Sequence, residues 1–309
     1  MTTRRLGRSE LFIEPLVLGG NVFGWTADEA ASFKVLDAFV DAGFTAIDTS
    51  DSYGKGKSET IIGNWLKARG NRDKVLVFTK VGSANAEGKR DLSAKWIESE
   101  VEQSLKRLQI DVIDLYQSHF PDPNTPQEET LAAFDRLVQA GKVRFIGSSN
   151  QDAALLGEAL KISEWQGIAR YETLQNELNL FDRQQFAGPV QDLCVKEDVS
   201  GIMYFSLARG FLSGKYRSAA DADKSPRGQA IVSKYLNDKG FRLLAAMDAI
   251  AARTGAALAE IALAWVAAQP GVAAPIASAT TVEQVASLAR GARLVLAAED
   301  VAALTAAGA

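Results

Sequence analysis

Histidine and cysteine are the scarcest reactive residues of this chain: of its 309 residues, one is histidine, His119, and one is cysteine, Cys194. A single cysteine forms no intrachain disulfide, and a chain of this length buries enough surface to need none. A single histidine excludes a poly-histidine metal centre, the HExxH zinc motif included. Both counts point to a reducing, cytoplasmic setting. A basic excess is lacking as well. Thirty-four Lys and Arg stand against 38 Asp and Glu, a net charge of −4, which leaves no electrostatic footprint for nucleic acid or anionic lipid. Long apolar runs are missing too: the most apolar helical stretch, 256–268, contains Glu260 and falls short of the ~20 residues that span a bilayer. Arg4-Arg5 begins like a twin-arginine signal, but Glu10 and Glu14 interrupt the segment behind it where an apolar region is required. The expectation is a soluble protein with no nucleic-acid or membrane partner. Linkers, low-complexity tracts and solenoid-length repeats are also absent, so residues 1–309 read as a single domain.

What is present is 47% hydrophobic residues in a recurring pattern. Short β-branched and apolar runs alternate with longer amphipathic segments, the signature of βα units on a parallel sheet. The candidate strands are 16–18, 44–47, 75–79, 112–116, 143–146, 171–174, 202–205 and 273–276. Eight is the number that closes a (β/α)8 TIM barrel. Thr26 and Glu29 form a capping box ahead of a helix over 30–39; Thr125, Pro126 and Glu128 repeat the device before a helix over 131–140. Ser93 heads a run in which Ile97, Val101, Leu105 and Leu108 keep helical spacing. The longest gap lies between the seventh and eighth strands, with a polar loop over 217–228 and helical stretches over 239–253 and 257–268. Long barrel insertions usually belong to the active-site face. Residues 4–13 alternate like a hairpin around Gly7 and are placed at the barrel floor. The predicted fold is therefore α/β, a TIM barrel with an extra C-terminal helical segment and a short N-terminal hairpin.

Barrel chemistry sits at the C-terminal strand ends, so the residues just past each apolar run are informative. The second strand runs into Asp48-Thr49-Ser50-Asp51-Ser52-Tyr53, the third ends in Thr79-Lys80, and the fourth in Gln117-Ser118-His119. Beyond the fifth lie Ser148-Ser149-Asn150 and beyond the sixth Gln175-Asn176; the seventh offers Tyr204 and Ser206, the eighth Ser278 and Thr280. One rim thus gathers a Lys, an Asp, a Tyr and the only His. Trp25 and Phe120, placed after the first and fourth strands, are candidates for a substrate pocket. Cys194, between Leu193 and Val195, reads as a small buried hydrophobe. Three other motifs fail. Tyr53-x-x-x-Lys57 has short-chain-dehydrogenase spacing, but Gly54 and Gly56 argue against the helix that pair needs. Gly56-Lys57-Ser58 lacks the earlier glycine of a P-loop, Asp51 standing in its place. No G-x-G-x-x-G comes after the first strand, which argues against a Rossmann dehydrogenase.

The segments FTAIDTSDSYG, DVIDLYQSHFPDP, GKVRFIGSSN, LQNELNL and YFSLARGFLSGKY, with the strand end at Lys80, together resemble the aldo-keto reductase superfamily, in its order and over nearly the whole chain. The resemblance implies reduction of small aldehydes or ketones by NADPH or NADH, with a tetrad of Asp48, Tyr53, Lys80 and His119. Hydride addition builds negative charge on the carbonyl oxygen, where a proton donor must wait. Tyr53 would be that acid/base; Lys80 would ease its proton release, Asp48 would pair the buried Lys80, and His119 would orient the carbonyl. By the same resemblance Ser149, Asn150 and Gln175 bond the carboxamide and Tyr204 stacks on the nicotinamide. Ser206, Leu207, Gly210 and Lys215 run along the pyrophosphate, while Ser278, Thr280 and Gln284 face the adenosine. Relatives often carry a basic residue just after the eighth strand to clamp a 2′-phosphate; here Thr280-Thr281 stand there, and Arg290 is the nearest cation downstream. NADPH is the first expectation and NADH the alternative. The resemblance also leaves open a nucleotide-sensing module like a channel β-subunit, with little turnover, and the strand-end lysine leaves open a Schiff-base lyase. A monomer or weak homo-oligomer is expected.

Overall fold

In the computed structural model, which describes residues 2–83, 87–225 and 227–309, eight parallel strands close a barrel. They are β3 (Val17–Gly19), β4 (Ala46–Asp48), β5 (Leu76–Val81), β6 (Ile113–Ser118), β7 (Val143–Ser149), β8 (Tyr171–Gln175), β9 (Ser200–Met203) and β10 (Val272–Ala277), with β10 hydrogen-bonded to both β9 and β3. All eight coincide with the apolar runs of the sequence. Strands of a covered parallel sheet are buried on both faces and so read as near-continuous hydrophobic segments. Helices α1 (Glu29–Asp41), α2 (Lys57–Arg69), α3 (Ala94–Leu108), α4 (Gln127–Gln139), α5 (Ala153–Gln166) and α6 (Pro189–Glu197) make the first six crossovers. The seventh is longer: α7 (Gly228–Tyr235), α8 (Asp238–Thr254) and α9 (Leu258–Ala267) intervene before β10, and α10 (Val282–Arg293) and α11 (Ala298–Ala307) come after it. α8 packs on α11, with Arg253 2.5 Å from Asp300. Pro226, within the polar loop expected over 217–228, lies outside the described residues.

Two helix starts differ from expectation. Asp28, not Thr26, caps α1 by accepting from the Ala31 amide, an arrangement a carboxylate achieves as well as a hydroxyl. At α4 the cap position falls on Pro126 without a side-chain cap, because the Thr125 hydroxyl donates to Asp122 instead. Ser93 caps α3 as expected, accepting from the Trp96 amide, and the helix buries Ile97, Val101, Leu105 and Leu108. No single helix among the described residues is long and apolar enough to cross a membrane; α8 and α9 meet that composition only jointly, across a 101° bend.

A short hairpin, β1 (Arg4–Arg5) with β2 (Phe12–Ile13), fills the lower end of the barrel. Its Leu6, Leu11 and Ile13 are fully buried against Val17, Ala46, Phe78, Leu115 and Ile202, each such side chain contributing about 1.5–3 kcal/mol. Arg4 fixes the hairpin by donating to the carbonyls of Ala267, Val272 and Ala273 at 2.8–3.1 Å. Nearby, Asp114 of β6 joins three strands: it accepts from Arg72 at 2.7 Å, from Arg144 at 2.8 Å and from the Val77 amide at 2.8 Å. The floor is therefore structural, and the polar strand ends lie at the opposite rim.

The α2–α3 crossing is tight enough to require glycine. A Cβ on Gly63 would stand 2.4 Å from the Arg107 carbonyl oxygen and 2.7 Å from the Leu108 carbonyl carbon, and backbone cannot rotate away. Gly63→Ala is expected to destabilise the protein by about 1–3 kcal/mol, read as a lower urea midpoint. An unchanged midpoint would mean that the two helices can separate without penalty.

Candidate functional site

The rim opens into a cleft of about 740 Å³. At its base β4 ends in Asp48 and β5 presents Lys80, both essentially inaccessible to solvent. The Lys80 ammonium donates to Asp48 Oδ2 at 2.6 Å and to the Thr49 carbonyl at 2.7 Å, and lies 3.4 Å from the Tyr53 hydroxyl. The second carboxylate oxygen accepts from Gln175 at 3.0 Å and Gln117 at 3.3 Å. Both carboxylate oxygens of Asp48 thus have buried partners, as a buried ion pair requires. Tyr53 sits in the turn after β4. A turn lets a strand-end sequence fold its phenol back over the neighbouring strand, and positive φ at Gly54, Lys55 and Gly56 closes that turn. His119, immediately past β6, meets the Tyr53 ring edge-on at 5.8 Å and stacks on Phe120 at 4.8 Å. All four residues of the expected tetrad therefore meet at one place.

Electrostatics refine the sequence reading. Burial alone would drive Lys80 down, but Asp48, then Tyr53, outweigh it and hold Lys80 above the ordinary lysine value. Burial dominates at Tyr53, raising its pKa; Lys80 pulls the other way without prevailing, and Asp48 adds to the rise. The expectation that Lys80 eases ionisation of the phenol is met as a contribution and not as a net result, because desolvation of a phenolate outweighs one neighbouring cation already paired with a carboxylate. Burial, then Lys80, keeps His119 well below 6.5, so at pH 7 it is a neutral imidazole. Burial pushes the Cys194 thiol up to about 12, which leaves it the inert hydrophobe expected.

The other expected site residues divide clearly. Ser149, Asn150, Gln175, Tyr204, Ser206, Leu207, Gly210, Lys215, Ser278 and Gln284 line the cleft, as does Phe120. Asn150, at φ +58, donates to the His119 carbonyl at 2.9 Å and accepts from the Tyr204 hydroxyl at 2.7 Å. Thr280 is not on the wall; its amide donates to the Gln284 side chain at 2.8 Å and so seats a residue that is. Trp25 is also off the wall. It is exposed at the rim, with the Arg227 guanidinium 4.6 Å over its ring. Arg290 is committed to Glu260 at 2.8 Å.

Sequence reasoning passed over two cations of the cleft, Arg209 and Arg227. Arg209 lay in plain view inside YFSLARGFLSGKY, and its φ of +58 could not be read there. With Lys215 they make three cations that rest on aromatic rings, at 4.2 Å over Phe205, 4.6 Å over Trp25 and 5.1 Å over Tyr216. None has a carboxylate within ion-pairing distance among the described residues. Arg227 is held below its usual pKa by burial, then by Arg209, while Arg209 also acts on the Glu177 carboxylate.

A closed parallel barrel with an ammonium, a carboxylate, a phenol and an imidazole gathered at the C-terminal strand ends has the architecture of a barrel enzyme. The chain belongs to the aldo/keto reductase family, whose model matches residues 15–309, and is an oxidoreductase. It is 35% identical to the aldo-keto reductase YhdN of Bacillus subtilis, over 82% of this chain and 76% of that protein. It is 36% identical to the uncharacterized oxidoreductase YrpG of the same organism, over 90% and 87%. Protein tas of Escherichia coli is 32% identical, over 92% and 91%.

Proposed function

We propose that the protein reduces small aldehydes or ketones to alcohols with NADPH, Tyr53 giving the proton. The observation that carries this reading is the buried Lys80 ammonium, held by Asp48 at 2.6 Å and set 3.4 Å from the Tyr53 hydroxyl. The chain's residues suit a dinucleotide phosphate: Arg209, Lys215 and Arg227 supply positive charge along the cleft, beside the polar side chains of Ser149, Asn150 and Gln175. Such a group, when bound, supplies the hydride that no side chain can. The chain handles the proton. Tyr53, protonated at neutral pH, donates to the carbonyl oxygen as charge develops there, and the adjacent ammonium stabilises the phenolate left behind. Asp48 keeps that ammonium charged and in place. His119, neutral, offers a hydrogen bond that orients the carbonyl, and Phe120 stacked on it forms the apolar side of the pocket.

Loss of absorbance from the reduced dinucleotide in the presence of aromatic and aliphatic aldehydes tests this reading. Turnover is expected, and its absence over a broad carbonyl panel would overturn it. NADPH is expected to bind at least tenfold more tightly than NADH, about 1.4 kcal/mol, with the advantage shrinking at high salt. NADH is the second reading, favoured by the engagement of Arg290 with Glu260. Equal affinities in a fluorescence titration would decide for it.

A further inference from the structure

The turn between β4 and Tyr53 carries a hydrogen-bonded chain outside the four-residue cluster. Ser50 Oγ lies 2.9 Å from Asp51 Oδ1 and 3.1 Å from His119 Nδ1, and 2.9 Å from Ser52 Oγ; it also accepts from the Ser52 amide at 3.2 Å. A serine hydroxyl has one hydrogen and two lone pairs. With one lone pair given to the Ser52 amide, one hydrogen and one lone pair remain for Asp51, His119 and the Ser52 hydroxyl.

Two divisions keep both Asp51 and His119 bonded to Ser50. An ionised carboxylate only accepts, so ionised Asp51 takes the Ser50 hydrogen, a charge-assisted bond that Ser52 Oγ cannot match. The lone pair left on Ser50 then faces His119 Nδ1, which must carry the imidazole hydrogen, and Nε2 is bare. A protonated Asp51 donates instead to that lone pair. Ser50 then turns its hydrogen to Nδ1, and the imidazole hydrogen resides on Nε2. Nδ1 is engaged by Ser50 in both states, so Nε2 is the ring nitrogen left for a ligand in the cleft that His119 lines.

We propose that Asp51 and Ser50 are positioning residues that set the tautomer of His119, so that Nε2 presents a hydrogen to a carbonyl oxygen when Asp51 is protonated and a lone pair to an alcohol hydroxyl when Asp51 is ionised. The consequence for rate rests on the reductase reading above; the tautomer itself does not. A carbonyl oxygen only accepts, whereas an alcohol can also donate, so one state favours reduction and the other oxidation.

The surroundings place the switch in a useful range. Burial raises Asp51 to about 7, the Ser50 hydrogen bond opposing and Glu59 and Glu100 adding to the rise. The groups facing it are Glu59 on α2, Glu100 on α3, Tyr116 on β6 and Tyr53 on its own turn. Arg107 is bound to both Glu59 and Glu100, and no cation pairs with Asp51 among the described residues. Lys80 on β5 faces His119 and helps keep it uncharged, so its hydrogen is moved between nitrogens and not gained from solvent.

Because the chain has one histidine, protein labelled with 15N-histidine gives the NMR signals of a single imidazole. The unsubstituted protein is expected to pass from the Nε2–H to the Nδ1–H tautomer as pH rises, with a midpoint near 7. Asp51→Asn and Ser50→Ala should each abolish the transition while the rest of the amide spectrum stays folded. A single tautomer from pH 5.5 to 9, or the same midpoint in both variants, would overturn the proposal. In the rate measurement, kcat for carbonyl reduction should fall about tenfold between pH 6 and 8, the drop expected for one titrating proton, and Ser50→Ala should flatten that step. A step that persists unchanged in Ser50→Ala also counts against the relay. Lack of any turnover would overturn the reductase reading alone, the NMR titration still deciding the tautomer.

Discussion

Tyr53→Phe is expected to lower kcat for carbonyl reduction by about 10²–10⁴-fold, the range typical of a lost general acid, while dinucleotide affinity stays within about twofold. The substitution removes one oxygen and keeps the ring, so the edge-on contact with His119 at 5.8 Å survives. So does the ammonium 4.9 Å over the ring. What disappears is the only hydroxyl that hydrogen-bonds to Lys80 among the described residues, 3.4 Å away. The loss should therefore fall on kcat and leave the cleft's binding surface intact. Steady-state rates combined with a fluorescence titration of dinucleotide separate the two quantities. Full activity in the variant would remove Tyr53 from the chemistry; a matching loss of dinucleotide binding would show that the ring supports the cleft and nothing more.

Arg107→Met should be the most damaging single change to stability outside the barrel core, at about 3–5 kcal/mol near neutral pH. Glu59 of α2 has no solvent exposure and accepts from Arg107 at 2.6 Å and from the Thr79 hydroxyl at 2.6 Å. Methionine fills the volume and leaves that carboxylate without a counter-charge, which costs more than the original pair contributes. Urea denaturation of the variant beside the parent measures the deficit; an unchanged midpoint would show that Glu59 does not depend on Arg107 for its stability in the core. Because Glu59 also holds Thr79, the neighbour of Lys80, part of the loss should be felt at the rim.

The barrel is legible because eight buried strands need eight apolar runs, and tyrosine, lysine, aspartate and histidine at their ends can be located by counting. Boundaries are less so. β5, β6 and β7 run on through Val81, Ser118 and Ser149, polar or late residues that look like loop until the register with neighbouring strands is known. The caps expected at Thr26 and Thr125 are displaced by competition among adjacent oxygens: Asp28 outbids one, and Asp122 takes the hydroxyl of the other. α7 is hard to see in the sequence because it is only eight residues long and follows directly on a polar loop, although Ile231, Val232 and Tyr235 keep helical spacing. At the site, pairwise distance is the quantity a sequence lacks. Gln117 stands two residues before His119 in the chain, but only the closed barrel brings it to Asp48. Ser50 and Asp51 look like turn residues until His119, 69 positions downstream, arrives at Nδ1 contact. The exposed Trp25 finds its cation in Arg227, some two hundred residues away.

The Arg4-anchored hairpin has a kinetic corollary. With Leu6, Leu11 and Ile13 packed into the lower end of the barrel, the cleft that Tyr53 lines opens at the upper mouth. Any ligand long enough to lie across that mouth isolates the phenol. On the proposed chemistry, reloading Tyr53 from solvent is then expected to await release of that ligand.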